Sequence, residues 1–186
     1  MKTIKAWHFV GKTLRDGRPV PKDGVWLKHE GEMILCKSGF HASKDPFDAL
    51  TYAPGSTLCR VELRGQIQEH GNPADKLVAN ERRIIARMDA DEMLRYFARM
   101  QALSVVHLYD APDVVLDYLM TGDEKIRDAA SAAAWEATRA AAWDAAWAAA
   151  SAAARAAARD AASDAARAVA RRDFNALVSE CFEGVK

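Results

Sequence analysis

What this chain lacks is the first guide to it. Its 186 residues carry 26 basic and 26 acidic side chains, a formal net charge of zero. That balance argues against a general polyanion binder. The three cysteines, Cys36, Cys59 and Cys181, are odd in number and have no CxxC spacing. A disulfide framework is therefore not expected, and reduced thiols in a cytosol are the simplest reading. No run of roughly 18 apolar residues other than alanine occurs, so no bilayer-spanning segment is expected. Met1 leads into Lys-Thr-Ile-Lys-Ala-Trp7 with no apolar signal core. A cytoplasmic protein without a membrane partner is the expectation. His29, His70 and His107 have no metal-ligand spacing, so no metal site is expected. G-x-S-x-G, Walker and G-x-G-x-x-G motifs are all missing, which removes serine hydrolases and P-loop enzymes.

What is present is concentrated between Cys36 and Leu63. Phe40 and Ala42 alternate with His41 and Ser43, the period of a strand. Asp45-Pro46 opens a helix with a capping carboxylate followed by a ring at the first helical position. Phe47, Leu50 and Ala53 share a helical face, and Pro54-Gly55 ends it. Leu58, Val61 and Leu63 then give a second strand. His41 and Tyr52 are thus held on rigid elements, 52 − 41 = 11 residues apart.

The order of strand, Gly-aromatic-Ala, helix ending in Ala-x-x-Tyr, and strand resembles the NAD-binding core of ADP-ribosyltransferases of the diphtheria-toxin and poly(ADP-ribose) polymerase type. Trp7-His8-Phe9 matches that family's first strand, and Asn80-Glu81 before Arg82–Met88 matches its glutamate-bearing strand. The resemblance covers roughly residues 4–98. It implies that NAD is the cofactor: His8 would hold a ribose hydroxyl, Tyr52 would stack on nicotinamide, and His41 would line the pocket. Glu81 would be the catalytic residue, stabilising charge as nicotinamide leaves. The chain departs from the family at Phe9, where relatives have Gly, and at His41, where they have Tyr. The domain is also similar to small phage and prophage proteins that carry His29-Glu30-Gly31, Leu35-Cys36, Gly39-Phe40-His41-Ala42-Ser43 and Cys59-Arg60-Val61-Glu62-Leu63.

Read in order, Ile4, Ala6, His8 and Val10 form one face of a first strand, with Trp7 and Phe9 on the other. Gly11–Gly24 carries turn chemistry. Met33-Ile34-Leu35-Cys36 suits a covered strand, Gly65–Pro73 is polar and loop-like, and Lys76–Ala79 fits helix or strand. Arg82–Met88 reads as a strand. From Asp89 the period changes to 3.6. A capping box, Asp89 to Glu92, opens a helix over about 89–108, and Pro112 starts another that ends at Thr121-Gly122. The expected fold is α+β: a small twisted mixed sheet over residues 1–88, connecting helices over 89–122, and an all-helical tail over 123–186.

That tail is rich in alanine. Residues 129–170 hold 26 alanines and neither Gly nor Pro, so a long helix is expected. A larger or polar residue recurs every fourth position, through Trp135, Trp143 and Trp147 to Arg155 and Arg167. Each step of four overshoots the helical turn by about 40°, so the stripe winds around the helix. Three tryptophans on an alanine rod are too apolar to stay bare. They dock on this chain, or they bind a partner protein; alanine faces also suit pairing between two copies of the helix. Asp160, Asp164 and Asp173 dilute the nearby arginines, so no nucleic-acid interface is expected.

The residues leave plain alternatives for each site. His8 can be a satisfied structural histidine, His41 and Tyr52 can be packing residues, and Glu81 beside Arg82 and Arg83 can be a solvated charge. Two functions follow. One is an NAD-dependent ADP-ribosyltransferase acting on a host protein. The other, favoured by Phe9 and His41, is a binding module that keeps the fold without the chemistry and blocks a host protein, such as one of a defence system.

Overall fold

Two long antiparallel strands carry the other three. The computed structural model describes residues 3–34, 37–72, 74–108, 110–148 and 153–183, without the side chains of 138–163. Strand β1 (Ile4–Val10) pairs along β4 (Thr57–Gly71), from Ile4 opposite Leu63 to Val10 opposite Thr57. β4 returns as β5 (Ala74–Asp89), whose outer edge takes β2 (Leu27–Lys28) at Arg82 and Glu81 and β3 (Phe40–Ala42) at Leu77–Ala79. Beyond β3, Ser43 and Trp7 exchange both backbone hydrogen bonds at 2.8 Å, joining the end of β3 back to β1. The sheet therefore curls around an apolar interior that includes Ala6, Val10, Ala42, Cys59, Val61, Leu63, Leu77, Ala79 and Ile84.

The sheet is α+β in context, as expected, but it is antiparallel at every pairing rather than mixed. A parallel pair needs a crossover of a dozen residues or more. Among the described residues, the one helix between these strands, α1 (Pro46–Thr51), has six residues and links strands that are not neighbours. Asp45 caps α1 by accepting the Phe47 N–H at 3.0 Å. The stretch 65–73, read as loop from its polar side chains, is in fact the outer half of β4 up to Gly71. Backbone pairing with β5 needs no apolar side chains. A bulge lies between Arg64 and Ile67: Gly65 takes φ of 79°, and Asn80 Oδ1 accepts the Gln66 N–H at 2.9 Å. A side chain at Gly65 would begin 2.2 Å from that oxygen. Ile34, expected in a covered strand, is 43 % exposed and makes a single bridge to Ser38; Leu35 and Cys36 lie outside the described residues.

The helices follow as α2 (Asp91–Val105), α3 (Asp113–Thr121), α4 (Arg127–Ala148) and α5 (Ala153–Glu183), with a 3-10 turn at Val106–Leu108. The expected single Ala-rich helix crosses residues 149–152, which are outside those described. Among the described residues, no helix is long and apolar enough to cross a membrane.

The chain separates into two units, Met1–Glu92 with Arg171–Lys186, and Met93–Ala170. In the second, α3 packs on α4, burying Val115, Leu119 and Ala130, and Arg95 pairs with Glu124 at 3.2 Å. In the first, the segment of α5 from Arg171 returns to the strands. Arg171 forks onto Asp45 at 3.2 Å and Asp48 at 2.5 Å, which raises its pKa through those bonds. Phe174 and Val178 are fully buried; Phe174 meets Phe47 at 5.9 Å between ring centres, and Phe182 meets the edge of Trp7 at 4.9 Å. Phe174, Val178 and Phe182 recur every four residues, one face of a helix.

Of the tryptophans expected to dock, Trp135 is 71 % exposed, and the side chains of Trp143 and Trp147 are among those not described. Phe174→Ala should therefore lower the stability of the chain by about 3–5 kcal/mol. Trp135→Ala should leave it within about 0.5 kcal/mol. Urea unfolding of both variants measures the contrast; equal losses would contradict the packing described.

Candidate functional site

A cleft of about 1040 Å³ opens on the strand unit, between β1, the loop after it, β3 and α1. Three of the four residues singled out by sequence line it: His8, His41 and Tyr52. Their convergence follows from register. His8 lies opposite Cys59 on β4, and His41 lies opposite Val78 on β5. Tyr52 is the residue at which α1 ends. Gly39, at φ of 101°, turns the chain into β3; a side chain there would start 2.6 Å from Val78 Cγ2, so the approach that seats His41 requires glycine.

Glu81 is not part of this lining. Its carboxylate accepts from Arg64 Nε at 2.6 Å, and Arg64 in turn stacks on the Trp26 ring at 3.8 Å. Side chains alternate across a strand. Its neighbour Arg82 accordingly lines the cleft. Arg82 is 4 % exposed; its Nη1 donates to the His41 carbonyl at 2.7 Å, and its guanidinium lies 5.2 Å from the Phe40 ring centre. Burial lowers its pKa to about 10, so it stays charged at neutral pH. In the sequence Arg82 stands out only as the first residue of the Arg82–Met88 strand, between Glu81 and Arg83. Ile84 and Ile85 are both apolar, so the alternation that would have put Arg82 inward and Glu81 outward was ambiguous.

The electrostatics of the cleft are one-sided. Lys12, Arg15, Arg18, Lys37, Lys76 and Arg82 line it against one carboxylate, Asp16, which Arg18 holds at 2.6 Å. His8 is pushed well below its ordinary pKa by burial, then by Arg82 and His41. His41 is lowered by burial, then by Lys76, Arg15 and Arg82. Both rings are neutral at pH 7. Tyr52 donates its hydroxyl to Asp75 at 2.9 Å, which raises its pKa, and Lys76 Nζ sits 3.6 Å from its ring centre. One face of the Tyr52 ring is thus already covered by an ammonium. Among the described residues, no group of three His, Cys, Asp or Glu side chains converges as a metal site would.

Residues 4–96 match the model of a family described as "Domain of unknown function (DUF7666)". No curated protein and no solved structure matches the chain.

A histidine kept neutral by folding disfavours the folded state once it must accept a proton. The unfolded chain binds that proton near pH 6.5, so the cost is absent above this value and grows as pH falls below it. The denaturation midpoint should drop between pH 7 and pH 5, and His8→Gln should flatten that slope. A wild-type midpoint independent of pH over this range would contradict the burial of His8.

Proposed function

The chain belongs to this domain family of unknown function, and within it we propose that the strand unit is a ligand-binding module whose cleft takes an NAD-type dinucleotide without transferring ADP-ribose. The observation that carries this reading is the meeting of His8, His41, Tyr52 and Arg82 in one cationic cleft while Glu81 is tied to Arg64 elsewhere. The volume suits a ligand of dinucleotide size, and the neutral imidazoles can exchange hydrogen bonds with ribose hydroxyls. What the cleft lacks is the carboxylate that would stabilise a developing ribosyl cation: the lining acid, Asp16, is neutralised by Arg18. A glutamate outside the cleft contributes no such stabilisation.

In this reading the chain acts by binding a protein, and the sequence resemblance to phage proteins suggests a host protein as the target. The exposed ring of Trp135, on a helix made largely of alanine, supports a surface that meets a partner.

Calorimetric titration of NAD into the full chain should show saturable binding at one site. Incubation with labelled NAD and a bacterial lysate should leave proteins unlabelled, and Glu81→Gln should keep the NAD affinity within about twofold, since Glu81 touches no part of the site. Label transfer that Glu81→Gln abolishes would overturn the binding-module reading in favour of an enzyme. Absence of NAD binding would remove the dinucleotide.

A further inference from the structure

We propose that the cleft grips its ligand by a diphosphate group, held among Arg82, Lys76 and Arg15, and not by stacking a base on Tyr52. This deepens the dinucleotide reading and rests on it only for the rest of the ligand.

The first support is Arg82. A guanidinium has five N–H donors in a fixed fork, and a buried one is costly unless paired. The hydrogen bond described for Arg82 goes to a carbonyl, and none of the ion pairs among the described residues includes it, although it is 4 % exposed and faces the cleft. A bidentate anion is the partner that fork geometry suits.

The second support is convergence. Arg15, from the loop after β1, and Lys76 and Arg82, both on β5, line the cleft together with His41, and each acts electrostatically on its ring. Two linked phosphates carry the charge and the oxygen acceptors to engage several cations together, which a single carboxylate does not. Tyr52 supplies the third support. Its hydroxyl is engaged by Asp75, and Lys76 lies over its ring, so an ammonium stands where a stacked nicotinamide would need one of the ring faces.

The test uses the full chain and competition against labelled NAD, with inorganic pyrophosphate, ADP-ribose, ADP, AMP, nicotinamide and sulfate as probes. Pyrophosphate, ADP and ADP-ribose should displace NAD at one site with affinities within about tenfold of each other. AMP and nicotinamide should be weaker by more than tenfold. Arg82→Met should weaken every diphosphate probe by about 10- to 100-fold, the range for a lost charged hydrogen bond. Because a buried substitution can unfold the chain, Lys76→Met, at a half-buried lining residue, gives a second reading, with the same direction and a retained denaturation midpoint. Binding of pyrophosphate without NAD would support the diphosphate site and remove the dinucleotide reading. NAD affinity that follows nicotinamide and ignores pyrophosphate would overturn the diphosphate site and keep that reading. Sulfate competing as well as pyrophosphate would reduce the site to a general cationic patch and overturn the proposal, as would a folded chain that binds no probe.

Discussion

The β4–β5 ladder is the constraint from which the rest of the strand unit follows. β1 pairs along β4, with a further bridge from Trp7 to Ser43, and β2 and β3 pair along the outer edge of β5, so the positions of the cleft side chains depend on the β4–β5 register. A shift of one residue in that register would exchange the two faces of β5. Arg82 would leave the cleft and Glu81 would enter it. The Arg64–Glu81 and Arg83–Glu62 pairs on the opposite face hold the register as built, with Trp26 lying against both arginines. The bulge at Gly65 adds a geometric lock, because its positive φ and the Asn80 side chain fit together in one alignment.

Much of this was legible in the sequence. The alternation of Ile4 to Val10 and the Asp45-Pro46 start of α1 are strong local signals, the strand over Arg82–Met88 is a weaker one, and each has the predicted type. His41 and Tyr52 stood out as polar rings on short rigid elements, His8 through the family resemblance of its strand, and all three line one cleft. Three features were not legible. The polar outer half of β4 carries its order in backbone pairing, which side-chain composition does not reveal. Arg82 sits among charges and beside two isoleucines, where the period of two is blurred. The return of the Arg171–Glu183 segment is a long-range contact, and its signal, apolar residues at 174, 178 and 182, was overshadowed by the alanine repeat before it.

The cleft illustrates how a fold permits a site that net charge conceals. The chain as a whole is neutral, yet its cations are gathered where the acids are either absent or already paired. A cationic pocket on a neutral protein attracts a small anion at short range without drawing in long nucleic acids. The neutral histidines are first a product of burial, to which Arg82 adds at both rings and Lys76 and Arg15 at His41.

The return of α5 to the strand unit also has a consequence in time. On a ribosome the Arg171 segment is made 171 − 92 = 79 residues after Glu92. At about 5–20 residues per second, that is an interval of roughly 4–16 s. Throughout it, Phe47 and Trp7 have no Phe174 or Phe182 to cover them, and α1 lacks the Arg171 fork. The nascent unit must either wait with an apolar surface open or be shielded by another protein. The long stretch of alanine that is synthesised meanwhile is a sequence that forms helix by itself, and after Trp147 Val169 is its one apolar side chain larger than alanine to compete for that open surface.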